Sequence, residues 1–552
     1  MNATTQLTGR KYIEIIRGGA SYLRRNVKTV NDLNVFPIPD GDTGDNMLLT
    51  MLGGVDNISD ASDSISEASL AVAKGMLLGA RGNSGVILSQ FFDGVAQGFM
   101  GLDSASVKDV CSAFKSGVEH AYGSVLHPTE GTILTVAKEA TEFACNFGAN
   151  DIESFFEAFL NEARRSLDRT PELLDVLKKA GVVDSGGAGL IYIIEGMLRA
   201  LRGESIDTEP IDESSKNKDK PLDFSRFDEN SQMTFGYCTE LLLRLQNCKT
   251  DIEKFDTKEV TRFLESVGDS IVAVKNGSVI KIHIHTLTPE KVLEYCRAFG
   301  EFLTVKIENM TLQHSNNDSP VLSENSAKKE RTKYGVVAVA SGEGIKNTFC
   351  ELGADVVVDG GQSMNPSTDD FIKAFEKVNA DTIFVFPTNG NIILAAKQAA
   401  GIYTDSKVCV VESKNIGQGY AALSMMNPDL ESENDILCEF ASAMDGVITA
   451  EISKSVRDSN MQENVPVACG DYIGIVGKEI LTSDRSRLDA VLNTIDRTQI
   501  AEHDIVIVIC GIDSDMTEAD TIAQHVKKHN PFAEIYTING GQDVYSYIIV
   551  AE

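Results

Sequence analysis

Within the first 190 residues, four turns carrying Gly with Asp, Ser or Thr each run into an apolar segment that reads as a helix. The turns are NVFPIPDGDTG (34–44), GARGNSG (79–85), HPTEGT (127–132) and VVDSGGAG (182–189). The segments after them include MLLTML, VILSQFFDGVAQGF, ILTVAKEATEFA and LIYIIEGMLRAL. A helix that starts at such a turn leaves its first backbone amides without an internal partner. Several of these helix ends gathered at one end of a bundle form a rim of N–H and hydroxyl donors suited to an anion. Nothing before residue 200 alternates as a run of strands would, so the segment is expected to be helical.

The first turn adds metal chemistry. Asp40 and Asp42 alternate around Gly41, so a tight turn can aim both carboxylates at one hard cation, and Asn34 is near enough in sequence to add a neutral oxygen. Mg²⁺ is the natural guest. Thr43, Gly44 and Asn46 then open a helix whose free amides would face a phosphate. A lone DGD is more often an acidic surface turn before a helix. The three companion turns are what favour the site. No Walker-type GxxxxGK[ST] occurs, so a nucleotide held here is held without a P-loop.

The turn set resembles the ATP-binding domain of the dihydroxyacetone kinase family (DhaL, or DAK2, type), an all-helical barrel that holds ADP with two Mg²⁺ ions. A longer resemblance joins these motifs to an acidic linker, an HIHT strand and the segment DGGQSMNPST. Together they resemble the catalytic subunit of bacterial fatty acid kinase over essentially the whole chain. That resemblance implies a kinase that phosphorylates a fatty acid presented by a separate lipid-binding protein, and it suggests a homodimer. Asp45 departs from the family pattern, which usually has a small hydroxyl residue beside the phosphates. An extra carboxylate there either strengthens metal binding or repels the nucleotide.

The expected organisation is multidomain: a helical nucleotide-binding domain over 1–203, an acidic linker over 204–232, a middle α+β domain over 233–312, a polar linker over 313–333 and an α/β domain over 334–552. Both linkers are polar and poor in large aliphatics, so neither repays the entropy of folding alone. In the helical domain Tyr12, Ile15, Ile16, Gly19 and Leu23 recur at helical spacing, as do Phe159, Leu160 and Ala163. Thr170-Pro171 reads as a helix start, continued by Leu173, Leu174, Val176 and Leu177 up to Gly181, with these aliphatics as core. The formal charge of −31, from 50 basic and 81 acidic residues, disfavours nucleic acid and anionic lipid as partners. Ten cysteines without framework spacing read as reduced thiols. No secretory segment and no membrane-length apolar run is evident, and the chain is expected to be cytoplasmic.

The middle domain reads as βαββαβ, a ferredoxin-like order, with a hairpin turning on Asn276-Gly277. In its second hairpin strand Ile280, Ile282 and Ile284 share one face and leave His283 and His285 on the other. With Cys238 from the first strand they can supply three ligands for Zn²⁺; two solvent-facing histidines are the alternative. The family resemblance favours zinc, in a structural or docking role. The last domain alternates strand and helix and is expected to have two lobes, resembling the DegV-like fold of the family's lipid-binding partners. Partner docking is its expected role. SGEGIK (341–346) reads as a plain strand-to-helix turn.

For the transfer itself, Asp40 and Asp42 are expected to hold Mg²⁺ with Asn34, and Arg81 to face the transferred phosphoryl group unless it is only a surface ion-pair partner. Thr43, Gly44, Asn46, Ser84, Gly85 and Thr132 would cradle the nucleotide, and Asp184, Ser185 and Gly186 would close its pocket. His127 and Glu130 are available as acids or bases, though an ionised carboxylate acceptor demands none. The competing readings are the ATP-binding component of a dihydroxyacetone-type kinase and a non-catalytic lipid-handling scaffold. The first predicts a separate substrate-binding component with a covalent histidine, for which no motif is evident. The second predicts tolerance of losing the carboxylates.

Overall fold

The N-terminal strand β1 (Gln6–Thr8) pairs antiparallel with β2 (Ser104–Ser106) and delivers the chain into α1 (Gly9–Asn31), whose first turn is capped by the Thr8 hydroxyl accepting from the Lys11 amide. The stripe Tyr12, Ile15, Ile16, Gly19 and Leu23 is buried, as its spacing requires. Helices α2 (Thr43–Val55), α3 (Ile65–Gly79), α4 (Gly82–Gly98), α5 (Val107–Gly123), α6 (Ile133–Asn146), α7 (Ile152–Leu173), α8 (Asp175–Ala180) and α9 (Ser185–Leu201) complete the helical region. The computed structural model describes residues 4–34, 41–56, 63–204, 331–361, 364–427, 432–459 and 465–552, and 237–309 apart from 248, 251, 253–254, 256–259, 261, 265 and 277–278.

Glycine permits a close crossing of α1 and α9. A Cβ on Gly18 of α1 would lie 2.5 Å from Ala200 Cβ and 2.7 Å from the Gly196 carbonyl oxygen of α9, so the two backbones meet only because neither glycine carries a side chain. Between α5 and α7, Phe114 meets Phe155, Phe156 and Phe159 edge to face, at centroid distances of 5.2, 5.9 and 5.6 Å.

One helix boundary departs from expectation. Thr170 and Pro171 lie in the last turn of α7 rather than at a helix start, and the chain re-enters a helix at Asp175. Pro171 has no N–H to give the Leu167 carbonyl. The Thr170 hydroxyl donates to that carbonyl instead, at 2.7 Å, which lets the helix carry a proline. α8 ends at Gly181 in the left-handed conformation (φ +66°). Leu173 and Val176 are exposed, so only Leu177 of that stretch is firmly core.

The middle region holds β3 (Tyr237–Leu245), β4 (Gly268–Asn276), β5 (Val279–Thr286), α10 (Pro289–Arg297) and β6 (Gly300–Asn309). Its strands form one antiparallel sheet in the order β4-β5-β3-β6. Leu241, Leu243, Ile280, Ile282 and Ile284 build its core. The linker residues 205–236 and 310–330 lie outside the described residues.

The C-terminal region contains two sheets. β7 (Thr332–Ala340), α11 (Glu343–Glu351), β8 (Val356–Asp359), α12 (Thr368–Lys377), β9 (Ala380–Phe386), α13 (Ile393–Ile402), β10 (Lys407–Val410), α14 (Ile416–Ser424) and α15 (Glu433–Gly446) make the first lobe. Its sheet is wholly parallel, in the order β10-β9-β7-β8. Such a sheet needs cover on both faces, which its run of buried Val, Ala, Ile and Phe reflects. β11 (Ile448–Lys454), β12 (Tyr472–Val476), β13 (Glu479–Asp484), α16 (Arg487–Arg497), β14 (Ile505–Cys510), α17 (Met516–His529), β15 (Glu534–Asn539) and β16 (Tyr545–Ala551) make the second, a mixed sheet ordered β13-β12-β11-β16-β14-β15. The SGEGIK turn joins β7 to α11, with Gly342 at φ +87°.

The chain packs as two compact units, and the helical and C-terminal regions share one of them; the middle region is the other. Within the shared unit Ala80 and Val86 of the helical region pack into the same apolar cluster as Phe371, Phe375, Val385 and Ile392.

Candidate functional site

All four Gly-rich turns open helices, at Thr43, Gly82, Ile133 and Ser185. Direct contacts link them. Between the first and last turns, the Ser185 hydroxyl donates to Thr43 Oγ1 at 3.3 Å, and the Thr43 hydroxyl donates to Asn34 Oδ1 at 2.8 Å. The second turn meets the first where Gly82, at φ +57°, passes Asn46: a Cβ there would lie 2.6 Å from Asn46 Nδ2. At Gly85 a Cβ would run into the Thr50 hydroxyl, which donates to the Asn46 carbonyl at 2.7 Å. The third and fourth turns meet at Ile133, whose side chain lies against Gly186 and whose backbone bonds the Asp184 carboxylate. Thr43, Asn46, Ser84, Gly85, Thr132, Asp184, Ser185 and Gly186 therefore lie on one connected rim, with Gly44 in the first turn of α2.

Thr43 and Asn46 are buried at the start of α2, which Asp42 precedes without a side-chain cap of its own. Asn31, in the last turn of α1, supplies the missing order. Its Oδ1 accepts from the Gly44 amide at 2.7 Å and its Nδ2 donates to Asp45 Oδ2 at 2.8 Å. Asp45 is thus held by the protein itself. Asp40 lies outside the described residues.

Asp184 caps α9 by accepting from the Gly187 amide at 2.6 Å. Burial pushes its carboxyl up to about 6, against the two amide hydrogen bonds that oppose the shift. The Thr170 hydroxyl accepts from the Asp184 amide at 3.1 Å, so the proline-bearing end of α7 braces this turn. Thr132 spends its hydroxyl on the Thr129 carbonyl at 2.8 Å. Glu130 is bound by Thr135 Oγ1 at 2.6 Å and by the Tyr122 hydroxyl at 3.2 Å, and His127 is exposed.

The C-terminal region enters the same site. Asn365, in the segment DGGQSMNPST beyond β8, donates from Nδ2 to Asp42 Oδ2. Arg81 donates from Nη1 to the Asn365 carbonyl at 2.6 Å and lies 3.5 Å from the Asp370 carboxylate. The Thr368 amide donates to the Ala80 carbonyl at 3.1 Å, while Ser367 and Asp370 form a reciprocal cap on α12. Gln398 of α13 donates to the Leu77 carbonyl at 2.6 Å, and Arg457 donates to the Asp32 carbonyl at 3.2 Å. Sequence reasoning missed Asn31 and Asn365, and it read Thr170 only as a helix start. Near Asn365 the S-T-D-D cap of α12 was the one local signal.

In the middle region, backbone register sets Cys238 opposite His285 and Glu240 opposite His283. The side chains of Cys238, His283 and His285 lie outside the described residues. Among the described residues no helix is long and apolar enough to cross a membrane.

Three family models match the chain: the DAK2 domain over 37–199, the FakA-like fatty acid kinase middle domain over 234–317 and the FakA-like fatty acid kinase C-terminal domain over 335–552. Protein YloV of Bacillus subtilis is 39% identical over 556 residues, covering 99% of both chains. An uncharacterized Staphylococcus aureus protein is 34% identical over 553 residues, covering 99% of this chain and all of its own. Among solved structures, the Streptococcus pneumoniae fatty acid kinase B3 protein loaded with linoleic acid overlaps 40% of this chain and 99% of its own, at 14% identity and a TM-score of 0.31. The dihydroxyacetone kinase of C. freundii in complex with AMP-PNP and Mg²⁺ overlaps 34% and 33%, at 18% identity and a TM-score of 0.27. With all three family models in sequence order and a full-length relative at 39% identity, the chain belongs to the FakA-like family of fatty acid kinase proteins.

Proposed function

We propose that this chain transfers the γ-phosphoryl group of ATP to the carboxylate of a fatty acid held by a separate fatty-acid-binding protein, giving an acyl phosphate for phospholipid synthesis. The observation that carries the reading is the linked rim of four helix-opening turns, in a chain that matches its family from end to end. Thr43, Gly44, Asn46, Ser84 and Gly85 would cradle the phosphates from helix N-termini, and Thr132, Asp184, Ser185 and Gly186 would close the nucleotide side. Mg²⁺ suits the donor set, because the turn offers the hard oxygens of Asp42 and Asn34, with Asp40 adjoining in sequence. Bound with the nucleotide, it would offset charge on the transferred group.

A fatty acid carboxylate has a pKa of about 4 to 5, by analogy with Glu, so it arrives ionised. One of its oxygens attacks the γ-phosphorus, the bond from that phosphorus to the β–γ bridging oxygen breaks, and ADP leaves with the electron pair. No proton is transferred, so neither His127 nor Glu130 is required as a base. Arg81, whose guanidinium donates to the Asn365 carbonyl and lies 3.5 Å from Asp370, would face the phosphoryl group in flight. The cleft between the C-terminal lobes, lined by Ser341, Thr388, Asn389, Glu451 and Gln542, holds about 30 Å³ among the described residues. Ligand sites of small molecules run to roughly 300–1,000 Å³. The C-terminal region therefore suits docking of the acyl carrier better than acyl binding of its own. The β4-β5-β3-β6 order supports a ferredoxin-like middle domain, and the Cys238–His285 register supports a zinc site there with His283.

The test is acyl phosphate formation by the purified chain with ATP, Mg²⁺ and oleate, with and without a candidate fatty-acid-binding protein. Carrier-dependent product that is lost in Asp40→Ala/Asp42→Ala supports the reading. ATP binding without acyl phosphate sinks the substrate assignment, and no ATP binding sinks the kinase.

A further inference from the structure

The Asn365 side chain is almost fully buried, at 3% exposure, yet only one end of its amide is used. Nδ2 faces the Asp42 carboxylate, the one orientation that is attractive, since the reverse would set two oxygens together. Oδ1 is then buried and accepts no hydrogen bond from the described residues. Asn83 Oδ1, in the first turn of α4, is in the same condition. A buried amide oxygen without a partner carries an uncompensated loss of hydration. Two of them beside the turn that carries Asp42 indicate that something else meets them.

We propose that Asn365 of the C-terminal region is a working part of the phosphoryl-transfer site: its nitrogen positions Asp42 and its oxygen is offered to the metal–nucleotide assembly. The inference rests on the kinase reading above and adds to it that the nucleotide site is completed in cis from 323 residues away in sequence. Arg81, clamped by the same loop, ties the phosphoryl side to that contact. Asn365 acts on Asp42 as a positioning residue, and the C-terminal loop is then part of the catalytic machinery as well as a docking platform.

The experiment compares the full-length protein with Asn365→Ala and Asn365→Asp, using Mn²⁺ and ADP as probes. Calorimetry reads nucleotide affinity at several Mn²⁺ concentrations, paramagnetic resonance reads bound Mn²⁺, and melting temperature is followed alongside. The expected result is a loss of at least tenfold in Mn²⁺–ADP affinity for Asn365→Ala, with the midpoint moved to higher Mn²⁺. Asp at 365 restores an oxygen but not the donor to Asp42, so the Mn²⁺ signal should change without regaining wild-type affinity. Wild-type affinity in Asn365→Ala overturns the inference and leaves the kinase reading intact. If the wild-type chain binds no nucleotide, both fall. A drop in melting temperature with unchanged Mn²⁺ dependence also overturns it, since a merely structural residue would behave so.

A separate cluster independently carries a second site. On α17, His525 and His529 stand one turn apart, and Asp496 of α16 reaches both: His525 Nε2 lies 2.6 Å and His529 Nε2 3.6 Å from Asp496 Oδ1. The three ligand atoms lie within 4.8 Å of one another. Tetrahedral zinc at roughly 2.0–2.2 Å from each ligand needs little more than a side-chain adjustment to fit that triangle. The geometry points to a divalent transition-metal site that ties α16 to α17, with water as the fourth ligand. Cobalt titration of the full chain tests it. The wild type is expected to bind one Co²⁺ equivalent more than His525→Ala/His529→Ala, the difference spectrum lacking thiolate-to-metal absorption, and Asp496→Asn to weaken that equivalent at least tenfold. Thiolate absorption, common to wild type and variant, would report the Cys238 set separately. Equal stoichiometry in wild type and the double variant overturns this site.

Discussion

Gly82 offers a way to move one side chain of the proposed nucleotide rim by a known amount. Its φ of +57° already costs an L residue about 1–2 kcal/mol, and an added Cβ would fall 2.6 Å from Asn46 Nδ2, where ordinary contact starts near 3.4 Å. Gly82→Ala must therefore push the Asn46 amide away by about 0.8 Å, or shift the start of α4 by as much. Gly101 is the control. It has φ +80° and nothing within 4 Å of the added Cβ, so Gly101→Ala carries the backbone strain alone. Gly101→Ala should lose about 1–2 kcal/mol of stability by chemical denaturation, and Gly82→Ala at least as much. Only Gly82→Ala should lose nucleotide affinity and turnover, by roughly tenfold to a hundredfold, because misplacement of a positioning group by nearly 1 Å can cost about 10²-fold. Calorimetric titration with Mg²⁺–ADP and an acyl phosphate assay read the difference. Equal nucleotide affinity in the two variants would refute the placement of Asn46 on the nucleotide rim.

Two further perturbations follow from the same site. Thr170→Val removes both the donor to the Leu167 carbonyl and the acceptor for the Asp184 amide in a fully buried position, and should cost about 1–3 kcal/mol; a loss below about 0.5 kcal/mol would show that Pro171 needs no such partner. The Asp184 carboxyl is raised from 3.8 to about 6 in the fold, so its ionised form opposes folding at neutral pH and that opposition fades as pH falls through 6 toward 4. Asp184→Asn keeps a good helix cap and should flatten this part of the stability–pH curve, measured by denaturant unfolding between pH 4 and 8 without nucleotide. An unchanged slope would refute the assignment.

Local chemistry made much of this legible. The four helix starts were readable because Gly, Asp, Ser and Thr mark unpaired helix ends, and the stripe of Tyr12, Ile15, Ile16 and Leu23 because burial follows helical period. Pro171 misled for an equally local reason. Proline is favoured at helix starts, and only the position of the Thr170 hydroxyl over Leu167 shows that a helix can end around it. Asn365 was illegible because its meaning depends on the C-terminal region packing against α3 and α4, a contact no window of sequence contains. Asn31 was missed on the same grounds on a smaller scale, since its partners Gly44 and Asp45 lie across a loop.

The charge at the rim leads to the last prediction. The four turns contain Asp40, Asp42, Asp184 and Glu130, and Asp45 follows the first, against Arg81 as the single Lys or Arg among them. Arg81 is itself partly offset by Asp370 at 3.5 Å. On the proposed reading a triphosphate and a fatty acid carboxylate, both anions, would meet helix ends, one guanidinium and several carboxylates. Two like unit charges about 5 Å apart repel by about 3 kcal/mol at an effective dielectric of about 20, which is roughly a hundredfold in affinity. Removing divalent metal with EDTA should therefore weaken ATP binding by about a hundredfold or more. Asp42→Asn should split the two conditions: it weakens binding with Mg²⁺ by losing a ligand, yet strengthens metal-free binding by removing a repulsive charge. That opposite sign distinguishes a metal-holding carboxylate from one that merely shapes the turn, which would weaken both. If Asp42→Asn weakens ATP binding equally with and without Mg²⁺, Asp42 is not a metal ligand.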